Sequence, residues 1–67
     1  MMHVELQSKL IDAAEYDKAT RRLKLFLASG QIREFVEVPT SVFDDLQTAK
    51  SPGSYYFRSI KDRYPYA

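Results

Sequence analysis

Residues 53–66 bring together five aromatic rings, Tyr55, Tyr56, Phe57, Tyr64 and Tyr66, and three cations, Arg58, Lys61 and Arg63. Asp62 is the one acid among them. Flat rings stack on nucleobases and cations meet phosphates, so this mixture is the material of a nucleic-acid surface. It is equally the material of a small protein's lid, where rings bury area and long cations run their stems around them. A second set lies upstream in Arg22, Lys24, Phe26, Arg33 and Phe35. If the segments carrying them pair as strands, all five share one sheet face. Sheet rings rimmed by cations are how some RNA-binding folds hold single strands. The bland reading is that these rings are covered by the chain's own ends, or sit against Lys24 and Arg33 in cation–π contacts.

Catalytic chemistry has little to work with. His3 is the single histidine and there is no cysteine, so neither a Ser-His-Asp triad nor a multi-histidine metal site can be assembled. Asp44 and Asp45 are adjacent, and adjacent residues on a helix point about 100° apart rather than converging. Helix-start acids explain them better. The only glycines are Gly30 and Gly53, too few for a phosphate-cradling loop. No catalytic residue, cofactor or metal is expected.

The elements that must position these residues are read from periodicity. Leu23-Lys24-Leu25-Phe26-Leu27 and Gln31-Ile32-Arg33-Glu34-Phe35-Val36-Glu37-Val38 alternate on either side of Ser29-Gly30 and predict a β-hairpin. A two-residue Ser29-Gly30 loop would set Leu27 opposite Ile32, Leu25 opposite Glu34 and Leu23 opposite Val36 on a core face. Phe26 with Arg33, Lys24 with Phe35 and Arg22 with Glu37 would form the outer face. Glu34 then sits awkwardly and needs an edge or a cation. Leu10–Tyr16 predicts a preceding strand, with Asp17 opening the turn to the next. Pro39 ends the third strand. Thr40 or Ser41 would cap a helix with Asp44 and Asp45 in its first turns and Val42, Phe43, Leu46 and Ala49 as its apolar stripe. Ser51-Pro52 starts a second helix with proline at its first position. On it, Phe57 and Tyr56 share a face with Ile60. Pro65 ends that region. The expected fold is α+β: a three-stranded antiparallel meander, then two short C-terminal helices packed on one sheet face. Its core holds Leu23, Leu25, Leu27, Ile32, Val36, Leu46 and Ile60.

Sixty-seven residues make one domain. Without cysteine, packing must supply the stability, and nine aromatic residues offer large buried areas. Ten Lys and Arg against nine Asp and Glu leave a net charge of +1, which argues against strong non-specific binding to DNA or membranes. How the charges are distributed matters more. No apolar run is long enough to span a bilayer, and Met1–Glu5 lacks the zones of a signal peptide, so a cytoplasmic domain is expected.

The ordered landmarks Tyr16-Asp17, Leu23-x-Leu25, Ser29-Gly30, Phe35, Val38-Pro39, Leu46, Ala49 and Arg63-Tyr64-Pro65-Tyr66 resemble the KTSC domain family, over about residues 8–66. That family is named for the C-terminal extension of some lysyl-tRNA synthetases and includes free-standing small bacterial and phage proteins. The resemblance implies no catalytic activity and a suggested role in RNA binding. The family's central aromatic-x-aromatic pair falls on Arg33-Glu34-Phe35, where a cation replaces the first ring. Arginine can itself stack on a base. The expected function is a non-enzymatic accessory module. It would contact RNA through Arg22, Lys24, Phe26, Arg33 and Phe35, with Arg58, Lys61 and Arg63 in support. The alternative is a protein-interaction module that uses a sheet edge or the C-terminal aromatic and basic segment.

Overall fold

A computed structural model describes all residues, 1–67. The fold is α+β. Its sheet has four strands, β1 (Met2–Glu5), β2 (Ile11–Asp17), β3 (Arg22–Leu27) and β4 (Ile32–Phe35). They pair antiparallel in chain order. The expected meander therefore gains a first strand. Met2-His3-Val4-Glu5 has an alternation too short to stand alone, and it forms against β2, with Val4 opposite Ala14. The β2–β3 turn uses the expected chemistry: Asp17 accepts from the Ala19 amide at 3.0 Å. A bulge between Ile11 and Ala13 lets Ile11 and Ala14, three residues apart, share the core face.

The β3–β4 hairpin differs from expectation by one residue. The Leu27 amide donates to the Gln31 carbonyl at 2.8 Å, so the loop is Ala28-Ser29-Gly30. Gly30 takes the expected positive φ, at 95°. A three-residue loop of this kind ends on a left-handed residue, whereas the two-residue loop needs its own twist. One added loop residue turns every side chain of β4 over. Leu23 therefore faces Phe35, Leu25 faces Arg33, Lys24 faces Glu34 and Phe26 faces Ile32. Phe35 is fully buried, while Ile32 is 59% exposed and Val36 half-buried. Ile32 and Val36 thus leave the expected core and Phe35 enters it. Glu34 turns outward and meets Arg22 at 3.2 Å, in place of the expected Arg22–Glu37 pairing.

Two helices, α1 (Thr40–Thr48) and α2 (Pro52–Ser59), cover one face of the sheet. Val42, Phe43 and Leu46 give α1 its buried stripe. Its N-cap is Pro39, with no side-chain bond, and no acid lies in its first turn, since Asp44 and Asp45 fall one turn later. The Ser51 hydroxyl caps α2 by accepting from the Ser54 amide, ahead of Pro52 at the first position. The core holds Leu23, Leu25, Leu27, Leu46 and Ile60 as expected. It also holds Tyr16, which stacks on Phe43 at 5.2 Å and donates its hydroxyl to the Val38 carbonyl. No buried side-chain polar atom lacks a partner.

Residues 65–67 close the sheet. The Val36 amide donates to the Pro65 carbonyl, and the Ala67 amide to the Glu34 carbonyl, both at 2.9 Å. Tyr66 bridges to Phe35, with their rings 4.9 Å apart. The outer edge of β4 is thereby occupied by the chain itself.

Phe35→Ala removes a fully buried ring and is expected to cost about 3–5 kcal/mol. Urea denaturation reads this as a lowered midpoint, and an unchanged midpoint would place the ring at the surface. Gly30→Ala meets no atom within 4 Å, so its cost comes only from the positive φ. About 1 kcal/mol is expected by the same assay.

Candidate nucleic-acid interface

The outer sheet face, free of helices, carries Arg22, Lys24 and Phe26 as expected. Arg33 and Phe35 are not with them, because the reversed β4 turns both toward the helices. Phe35 lies edge-on to Tyr56 at 6.2 Å and beneath Tyr66. No base can reach it. Arg33 stays half-exposed and donates to Gln31 Oε1 at 3.2 Å. An aromatic pair at these two positions would face the helices as well, so the family's central motif reads as packing here.

What remains on the outer face is a charge mosaic. Glu5, Glu15, Asp17 and Glu34 share it with His3, Arg22 and Lys24. Arg22 is held by Glu34, and His3 by Glu15 at 2.9 Å and Glu5 at 3.2 Å. Phe26 is half-buried under Lys24, whose ammonium lies 5.9 Å from the ring centre, and beside the His3 ring at 6.4 Å. The small pocket here, about 80 Å³, is lined by Glu15, Asp17 and Glu34 as well as by Arg22 and Lys24. Acids outnumber lysine and arginine on this face, which repels phosphate.

The clefts beside α2 have the opposite sign, although Asp62 stands among their cations in the chain. Arg58, Lys61 and Arg63 lie on and just after α2. Of all the lysines and arginines only Arg22 is ion-paired, so these three have no acid partner. Phe57, expected on the buried face with Ile60, is 54% exposed. Tyr56 takes the inward position four residues before Ile60. The helix ends at Ser59, so spacing carried through to Ile60 overruns it. The Phe57 ring leans on Tyr56 at 5.4 Å, and the Lys61 ammonium sits 5.2 Å from its centre. Phe57 also lines a cleft of about 360 Å³ between the 7–10 turn and the start of α2, together with Lys9, Lys50, Ser8, Ser51 and Ser54. A second concavity of about 440 Å³ is lined by Arg58, Ser59, Arg63 and Tyr64. No carboxylate lines either. Lys9 and Lys50 went unnoticed in the sequence because they are separated by 41 positions, and only the fold brings them to one cleft.

Burial raises the Tyr55 and Tyr56 hydroxyl pKa values, with nearby Asp45 and Tyr66, respectively, adding to it. No group of three or more His, Cys, Asp or Glu side chains is placed to hold a metal ion. No helix is long and apolar enough to cross a membrane.

A four-stranded antiparallel sheet with both helices on one face defines the class as a small α+β domain of a single layer pair. Residues 7–64 match the KTSC domain, and the chain belongs to that family. A protein from Tsukamurella paurometabola is 39% identical over 59 residues, which cover 88% of each chain. A lysine–tRNA ligase from Nostoc sp. is 35% identical over 60 residues. Those residues are 90% of this chain but 11% of the ligase, so the chain spans about a tenth of that relative. The crystal structure of the KTSC domain protein YPO2434 from Yersinia pestis superposes with a TM-score of 0.92. It covers 98% of this chain and 93% of its own at 20% identity, which establishes the fold.

The carboxylates around His3 make one pH-dependent contact measurable. Glu15 first, then Glu5, hold the imidazolium proton and raise the His3 pKa. A raised folded-state value means the linked stabilisation is complete below the unfolded pKa of about 6.5 and is lost as pH rises through the folded value. NMR titration of His3 should give a midpoint above that reference, and Glu15→Gln should lower it more than Glu5→Gln. A midpoint at or below the reference would show that β1 does not hold His3 against β2.

Proposed function

We propose that this domain is a non-catalytic accessory module that binds single-stranded RNA on its α2 side. The observation that carries the reading is the exposed Phe57 ring with Lys61 against it, bordered by cations that have no acidic partner. An exposed ring offers a stacking platform to any base, and free cations around it neutralise the phosphates on either side. Lys9 and Lys50 extend the track across the cleft, and Arg58 and Arg63 extend it the other way. The chain's small net charge is compatible with this because no carboxylate lines either cleft beside α2. Similarity to part of a lysine–tRNA ligase adds an RNA-handling context, since that relative is named for a tRNA substrate.

Fluorescence anisotropy with a labelled mixed-sequence single-stranded RNA tests the reading. Binding should weaken steeply with salt. Phe57→Ala should lose about 1–3 kcal/mol of affinity with the fold intact. Lys61→Glu should weaken binding and flatten its salt dependence. Phe26→Ala, on the outer face, should change nothing. No binding at low salt, or loss through Phe26 rather than Phe57, would overturn the proposal and return a protein-partner role to the fore.

A further inference from the structure

A four-stranded sheet has two edges, and this one has closed only one of them. Pro65, Tyr66 and Ala67 occupy the outer side of β4. The outer side of β1 carries nothing. The Leu6 amide donates to the Asp12 carbonyl, and the register runs on from there, so Val4 and Met2 are also bonded toward β2. Alternation then aims the amides and carbonyls of His3 and Glu5 away from the sheet. An open edge of this kind is a template for another strand.

The geometry points to a symmetric homodimer in which β1 pairs antiparallel with β1 of a second copy, centred on Val4. Three two-fold registers can use the outward groups of His3 and Glu5. Centring on His3 sets two imidazoles opposite each other. Centring on Glu5 sets two carboxylates opposite each other, and like charges directly opposite destabilise a strand pair. Centring on Val4 sets His3 opposite Glu5 of the second copy, twice by symmetry. The same register lays Val4 against Val4 and Met2 against Leu6 on the helical face. Val4 and Leu6 already pack against the core from that face, and Met2 is 39% exposed. Every cross-strand pair at β1 is therefore matched in charge or in hydrophobicity. A C2 contact requires this self-complementarity. The two sheets become one continuous eight-stranded sheet.

Sedimentation equilibrium tests the assembly, and charge exchange tests the register. The native chain should sediment with twice its chain mass at high concentration. Glu5→Lys, at an exposed side chain, should weaken self-association about tenfold while circular dichroism stays unchanged. The double variant His3→Glu with Glu5→Lys, made in a Glu15→Gln background so that the new carboxylate at position 3 meets no like charge across β2, restores opposite charges in the Val4-centred register and should restore the dimer. In a mixed sample of isotope-labelled and unlabelled chains, a filtered NOE should join the α-protons of the two Val4 residues. A monomer at millimolar concentration overturns the proposal. So does a dimer indifferent to Glu5→Lys, or one that the double variant does not rescue.

Discussion

The inward turn of Phe35 is the contact on which the rest of the fold depends. It sits opposite Leu23 on the sheet, meets Tyr56 of α2 edge-on, and carries Tyr66 of the returning chain on its other side. Sheet, second helix and tail therefore converge on one ring. It can face inward only because the hairpin loop holds three residues and ends on a glycine with positive φ. A backbone choice at one loop position thus decides which side chains of β4 are core and which are surface. A domain without disulfides has few other ways to unite its two layers.

Covering the sheet on one face alone has an electrostatic result. The uncovered face must be polar to stay in water, yet β3 and its neighbours bring Lys24 and Arg22 there. Placing Glu15, Asp17 and Glu34 beside them keeps that face wetted, pairs Arg22 with Glu34 and leaves acids in excess. Cations that no acid offsets are then left on and around α2. A chain that is almost neutral in sum still has two clefts that no carboxylate lines. Charge bookkeeping on composition alone misses this, because potential depends on where charges sit.

Much of the architecture was legible in the residues. Alternation marked β2, β3 and β4, Gly30 marked the turn, Pro39 and Ser51-Pro52 bracketed the helices, and the α+β class followed. The face of β4 was not legible, because each parity buries one charge. One places Glu34 inside with Ile32 and Val36, and the other turns Arg33 inward with Phe35. Local pattern cannot separate these. The volume of the Phe35 ring and the reach of an edge arginine to water decide it, and both are tertiary facts. β1 was missed because four residues need β2 as a partner before they form a strand. At the candidate site, Arg58, Lys61 and Arg63 were visible as a cluster. Phe57 was hidden by a helical period extended past the end of a short helix, and Lys9 and Lys50 by their distance along the chain.

The bonding of residues 65–67 to β4 bears on how the protein comes into being. The meander from β2 to β4 uses contacts between neighbours in sequence and can form early. Its last edge, and one side of Phe35, stay bare until residues 65–67 have docked. A nascent chain at that stage offers an unpaired strand beside an unsheltered ring, the combination most prone to off-pathway association. Residues 65–67 act as a seal applied after the strands they cover have been made. A sequence change there would be felt both in the yield of folded protein and in the stability of the molecules that succeed.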